Sequence, residues 1–177
     1  MFRVLKKEYI TIAVVIIITA VIGLIVRFSQ PGIEIVYPEK ETVLAAEDFV
    51  IETDEGDIII GDSSWDQVTA IFPDGEMLGL STIYRPAGSY CLFQFTEDEN
   101  ILTRMHIDTD YFTTSRGVKV GDPVSALEKQ YGPDYATVKS KDRTDYFEMI
   151  YGGENNIVFQ IQNNKVAKII LQHEISL

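Results

Sequence analysis

The sequence predicts an α+β fold: two tandem helix-plus-antiparallel-strand units forming a sheet with short helices on one face, preceded by one transmembrane helix. Three observations carry this. A Gly-Asp corner leading into a short segment with an apolar stripe occurs twice, at Gly61 and Gly121, 60 residues apart. Each corner is followed by runs of alternating apolar residues bounded by turn-forming residues. Ile10 to Val26 is apolar apart from Thr11, Thr19 and Gly23.

Tyr9 to Phe28, taken as one helix, is about 30 Å long at about 1.5 Å per residue, enough to cross a bilayer. Leu24 to Pro31 offers no small-residue cleavage site and no lipidation cysteine follows, so residues 1–28 are expected to remain as a signal anchor. Arg3, Lys6 and Lys7 precede the span, whereas only Arg27 follows it closely. That asymmetry predicts a single-pass cell-membrane protein with its N-terminus cytoplasmic and its C-terminal domain extracytoplasmic, contacting the lipid bilayer through this helix. Residues 29–44, with Pro31, Gly32 and Pro38, read as a stalk containing a short extended piece at Ile33 to Tyr37.

Residues 45–112 form the first unit and residues 113–177 the second. Ala45 to Thr53 reads as a strand, with Asp54 to Asp57 as a polar turn before Ile58. Trp65, Val68 and Phe72 then mark the buried stripe of a short helix, and Val124, Leu127 and Tyr131 repeat that spacing in the second unit. There, Asp122 is expected to cap the helix, Pro123 to occupy its first position, and Gly132-Pro133 to stop it. The strand-like runs are Leu78 to Arg85, Tyr90 to Thr96 and Ile101 to Asp108, answered by Asp145 to Tyr151, Asn156 to Gln162 and Lys165 to Gln172. Alternation puts Cys91, Phe93 and Phe95, with Ile157, Phe159 and Ile161, on the helix side. It adds Thr103, Met105 and Ile107 with Ala167, Ile169 and Leu171 to that side. The opposite face then carries Leu92, Gln94, Arg104, His106, Val158, Gln160, Lys168 and Ile170, a mixed surface that one layer of helices leaves open.

Charge and composition narrow the function. The net charge is −12, and residues 1–28 carry +3, which leaves −15 for the rest. Such an acidic surface disfavours nucleic acid and favours a basic partner or plain solubility. Cys91 is the only cysteine, so no internal disulfide forms, and its apolar setting argues against a reactive thiol. With no glycosylation sequon either, an extracytoplasmic domain of this kind fits a bacterium better than a eukaryotic secretory route. His106 and His173 lack companions at metal-ligand spacing, Asp54 to Asp57 lacks the later glutamate of a calcium loop, and nucleophile elbows and phosphate-binding glycine loops are absent. No catalytic residue, cofactor or metal is therefore assigned.

The corner that runs from Gly121 and Asp122 through Leu127 to Tyr131, Gly132 and Pro133, with its earlier copy at Gly61, Asp62, Val68 and Phe72, resembles the tandem units of β-lactamase-inhibitory proteins. It is also similar to the small outer-membrane-assembly lipoproteins of the SmpA/OmlA type. The likeness covers residues 58–177, and it implies an extracytoplasmic, non-enzymatic module whose strands form a surface for another protein. The chain departs from that pattern in its helical anchor, in the missing Tyr-Gly-Pro ending of the first copy, and in having no disulfide pair.

The resulting expectation is a membrane-anchored extracytoplasmic protein-interaction module, an envelope accessory or inhibitor-like protein, with the eight residues of the open face as its contact surface. The alternative is a small-ligand sensor or enzyme with a pocket between the two units, using acids such as Asp108 and Asp110. A spacer without a specific ligand is the third reading.

Overall fold

The computed structural model describes residues 32–79, 81–88, 91–98, 100–143 and 145–173. The anchor expected over residues 1–28 lies outside the described residues, and among these no helix is long and apolar enough to cross a membrane. Residues 33–177 form one compact unit. It contains a nine-stranded antiparallel sheet, a two-stranded sheet and two short α-helices.

In chain order the elements are β1 (Ile33–Val36), a 3-10 turn (Ala46–Phe49), β2 (Val50–Thr53), β3 (Gly56–Ile59), α1 (Trp65–Ile71), β4 (Gly75–Met77), β5 (Ile83–Pro86), β6 (Cys91–Phe95) and β7 (Leu102–Ile107). They continue with α2 (Val124–Tyr131), β8 (Ala136–Ser140), β9 (Tyr146–Gly152), β10 (Asn156–Gln162) and β11 (Lys165–Gln172). The large sheet runs β1-β8-β9-β10-β11-β7-β6-β5-β4, and β2 pairs with β3 separately. Two four-strand meanders thus meet where β7 lies beside β11. At that seam His106 faces Ile170 across the strands, and Met105 and Ile107 face Leu171 and Ile169.

The core lies on one face of the sheet. Phe93, Met105, Ile107, Phe159, Ile169 and Leu171 are fully buried there beneath Val68 of α1 and Leu127 of α2. The ring of Phe72 packs on Phe93 at 5.5 Å and that of Tyr131 on Phe159 at 5.1 Å, so both helices end against the same face. Each such side chain contributes about 1.5–3 kcal/mol through burial. The β2–β3 hairpin joins this layer through Ile51 and Ile58. Trp65 meets Tyr84 and Phe95 edge to face at 5.0 and 5.2 Å, which makes it a packing residue as its place on the stripe predicts.

The two corners make matching bonds. Gly61 N–H donates to Leu102 O (2.7 Å) and Gly121 N–H to Val166 O (2.8 Å). Trp65 N–H donates to Asn100 O and Val124 N–H to Asn164 O, with both asparagines at positive φ. The first corner is one residue longer, and Asp62 is the addition: Ser63 takes the place of Asp122, its O accepting from Leu102 N–H as Asp122 O does from Val166 N–H, and its Oγ accepting from Ile59 N–H at 2.8 Å as Asp122 Oδ2 does from Lys119 N–H at 2.9 Å.

Several expectations need correction. Asp122 closes that turn instead of capping α2. The N-cap is Pro123, with no side-chain bond, while Gly132 ends the helix at φ +87 as its sequence suggests. Thr103 and Ala167 leave the helix side, because a β-bulge falls at the same place in both meanders, between Gln94 and Phe95 and between Gln160 and Ile161. The extra residue reverses the alternation beyond it, so Leu102 and Val166 turn into the core instead. Ala46–Phe49 is a 3-10 turn and only Val50–Thr53 is strand. The segment read as a stalk enters the domain at residue 33: β1 pairs with β8 as the sheet's edge, and Thr42 Oγ1 donates to Asp134 O. The run Leu78 to Arg85 is displaced, its place taken by a β4–β5 hairpin.

Candidate functional site

Strand pairing sets the candidate residues out in rows on the face opposite the helices. The central row is Ala136, Ile150, Val158, Ile170, His106 and Leu92, running across six strands from β8 to β6. On one side stand Glu148, Gln160 and Lys168, and on the other Gln172, Arg104 and Gln94. All eight residues expected on this face are therefore brought together. Seven are half-buried; Val158 is the exception, only 6% exposed and outside the core cluster, because Ile150 and Ile170 flank it directly on the neighbouring strands.

The charged members differ in how they are held. Lys168 Nζ lies 3.0 Å from Asp108 Oδ1. Glu148 accepts from Gln160 Nε2 at 2.9 Å and from Tyr146 O–H at 3.3 Å. Among the described residues Arg104 has a single weak side-chain bond, from Nη1 to Gln94 Oε1 at 3.4 Å, and its Nε is buried with no acceptor. Burial lowers the Arg104 pKa. Burial also lowers that of His106, with Lys168 and then Arg104 pushing the same way and Asp108 opposing them, so the imidazole titrates below 6.5.

Asp108, expected at a junction pocket with Asp110, is instead taken up by Lys168 on the open face. Two clefts were not foreseen. One, about 620 Å³, continues the apolar row outward over Ile35, Ala136, Val138 and Ile150, with Glu41, Asp134 and Glu154 at its walls. It was missed because β8 is a short strand of weak alternation. The other, about 560 Å³, lies between the first corner at Ile59–Asp62 and the β9–β10 turn at Gly152–Asn155, beside His173. Among the described residues no group of three His, Cys, Asp or Glu side chains is arranged to hold a metal ion.

The strongest internal electrostatic contact is elsewhere. Asp48, 3% exposed, accepts from Arg116 Nε at 2.7 Å and Nη2 at 2.6 Å, and also from Ala45 N–H and Ser115 Oγ. The Arg116 guanidinium sits 4.6 Å from the Tyr131 ring centroid. This is a brace between the segment before β2 and the loop before α2. Nothing in the local sequence announces it, since the partners lie 68 positions apart.

No family model, no curated protein and no solved structure matches this chain.

Proposed function

We propose that this chain is a membrane-anchored, extracytoplasmic protein-interaction module of two tandem units, related to the β-lactamase-inhibitory type, with the open sheet face as its contact surface. The observation that carries the reading is the row from Leu92 to Ile150, half-buried apart from Val158, which has the helices and the β2–β3 hairpin on the other side of the sheet and, among the described residues, no element above it. A row of this kind offers apolar area within a polar frame, the composition of a transient protein interface. The apolar span at residues 10–26 and the basic residues before it support the anchor and its orientation.

The test is site-specific photocrosslinking in native membranes, with the probe placed at Gln94 or Gln160 and, as a control, at the exposed Lys129 on α2. A discrete adduct expected from the first two and not from the third supports the face; equal labelling from all three sinks it. Tyr111→Cys labelled in intact cells by a membrane-impermeant maleimide checks the orientation, since Tyr111 is 66% exposed.

The cleft beside His173 favours the second reading, a small-ligand sensor. Asp62, Glu154 and Glu41 line it with the imidazole, a polar setting that suits a cationic ligand. Ligand-induced shifts confined to His173, with none on the sheet face, would support that reading over the first.

A further inference from the structure

We infer that the open face receives an acidic, apolar segment of a partner protein, with a carboxylate of that segment against the Arg104 guanidinium and its apolar side chains along Leu92, Ile170 and Ile150. The inference rests on the contact-face reading and supplies the partner's chemistry.

Arg104 is the reason. Of the three half-buried Lys and Arg side chains among the described residues, Arg116 has the Asp48 carboxylate at 2.6 Å. Lys168 has one, at 3.0 Å. Arg104, which faces Gln172 across the seam, has five N–H donors, of which one makes a 3.4 Å bond to an uncharged amide among the described residues. Its Nε is buried without an acceptor, so among the described residues this half-buried cation has no anionic partner. A guanidinium matches a carboxylate geometrically, and the neighbouring apolar row excludes water from the pair. Burial lowers the pKa of Arg104, as it does that of His106 beside it, in keeping with a cation that has lost part of its water.

The test uses the full chain in zwitterionic-lipid nanodiscs and three fluorescent peptides of alternating Leu and X, with X as Glu, Gln or Lys. The net charge of −12 by itself predicts that the Lys peptide binds best. The inference predicts the reverse, with the Glu peptide about tenfold tighter than the Lys peptide by anisotropy. Arg104→Gln should remove that preference, lowering the Glu peptide's affinity more than the Gln peptide's, and Arg104→Lys should retain part of it. Ile170→Gln should weaken the Glu and Gln peptides alike.

A preference for the Lys peptide, or a Glu preference untouched by Arg104→Gln, overturns the inference. If Ile170→Gln weakens binding and Arg104→Gln does not, the contact face stands and the acidic partner falls. If neither variant matters, both fall. Arg104-dependent binding to phosphatidylglycerol vesicles with no peptide binding would replace the protein partner by a membrane surface and overturn it too.

Discussion

The corners at Gly61 and Gly121 have the same backbone and different surroundings. Both glycines sit at φ +95 and both donate to the last strand of their own meander. A Cβ on Gly61 would lie 2.7 Å from the His173 ring, whereas a Cβ on Gly121 would meet nothing within 4 Å. The first corner is packed from outside and the second is not. Their helices differ in the opposite sense: α1 begins with a reciprocal cap between Ser64 and Gln67, and α2 has no side-chain cap but carries Arg116 over Tyr131. One local motif has been stabilised twice by unrelated means, so the motif fixes the turn and its neighbours fix how much the turn matters.

The largest effect is expected at the brace that only the second corner has. Asp48→Asn leaves Arg116 without its anionic partner, and chemical denaturation should show a loss of about 3 kcal/mol. Burial alone would raise the Asp48 pKa, but the hydrogen bonds from Arg116 and Ala45 and the Arg116 charge outweigh it and hold it below 3.8. A carboxylate depressed on folding stabilises fully above its unfolded pKa, and that contribution is lost as pH falls through the folded value. The stability gap between wild type and Asp48→Asn should therefore persist at neutral pH and close in acid below 3.8. A gap that does not change with pH would show that the bridge is not ionic.

Next come the glycines themselves. Gly121→Ala should cost about 1 kcal/mol for the positive φ, while Gly61→Ala should cost about 2–3 kcal/mol because the His173 ring must also shift. Adding His173→Ala should bring the Gly61→Ala penalty down to that of Gly121→Ala. Equal penalties in the parent background would remove the distinction between the corners.

The smallest expected effect is at the helix starts. Ser64→Ala removes the acceptor for Gln67 N–H and should lower stability by about 1 kcal/mol, whereas Pro123→Ala, at an N-cap with no side-chain bond, should change it by less than about 0.5 kcal/mol. Thermal melts of both variants check the order.

What could be read from the chain was local. Gly at a positive-φ corner, a stripe at i, i+3 and i+7, and the alternation through Cys91 to Phe95 and Ile157 to Ile161 depend on residues within a turn or a strand of one another, and the helix-side face followed from them. The same alternation put the eight residues on one sheet face, because none of them lies beyond a bulge, though it did not foretell the burial of Val158. Leu102 and Val166 were assigned to the wrong side because a bulge depends on how two strands align and leaves no mark in either one alone. Short strands such as β1 and β8 are strands only because each has the other, or β9, to pair with.

By itself, then, the sequence determined an acidic α+β chain with two similar corners, an apolar span before them and a set of alternating strands, since backbone stereochemistry and periodicity act over a few residues. Long-range packing set the rest: Lys168 meets Asp108 while Arg104 meets no acid among the described residues, Ile150 and Ile170 enclose Val158, and Asp48 meets Arg116. These outcomes depend on which distant strands become neighbours, and with them on which charges lose water and which gain a partner.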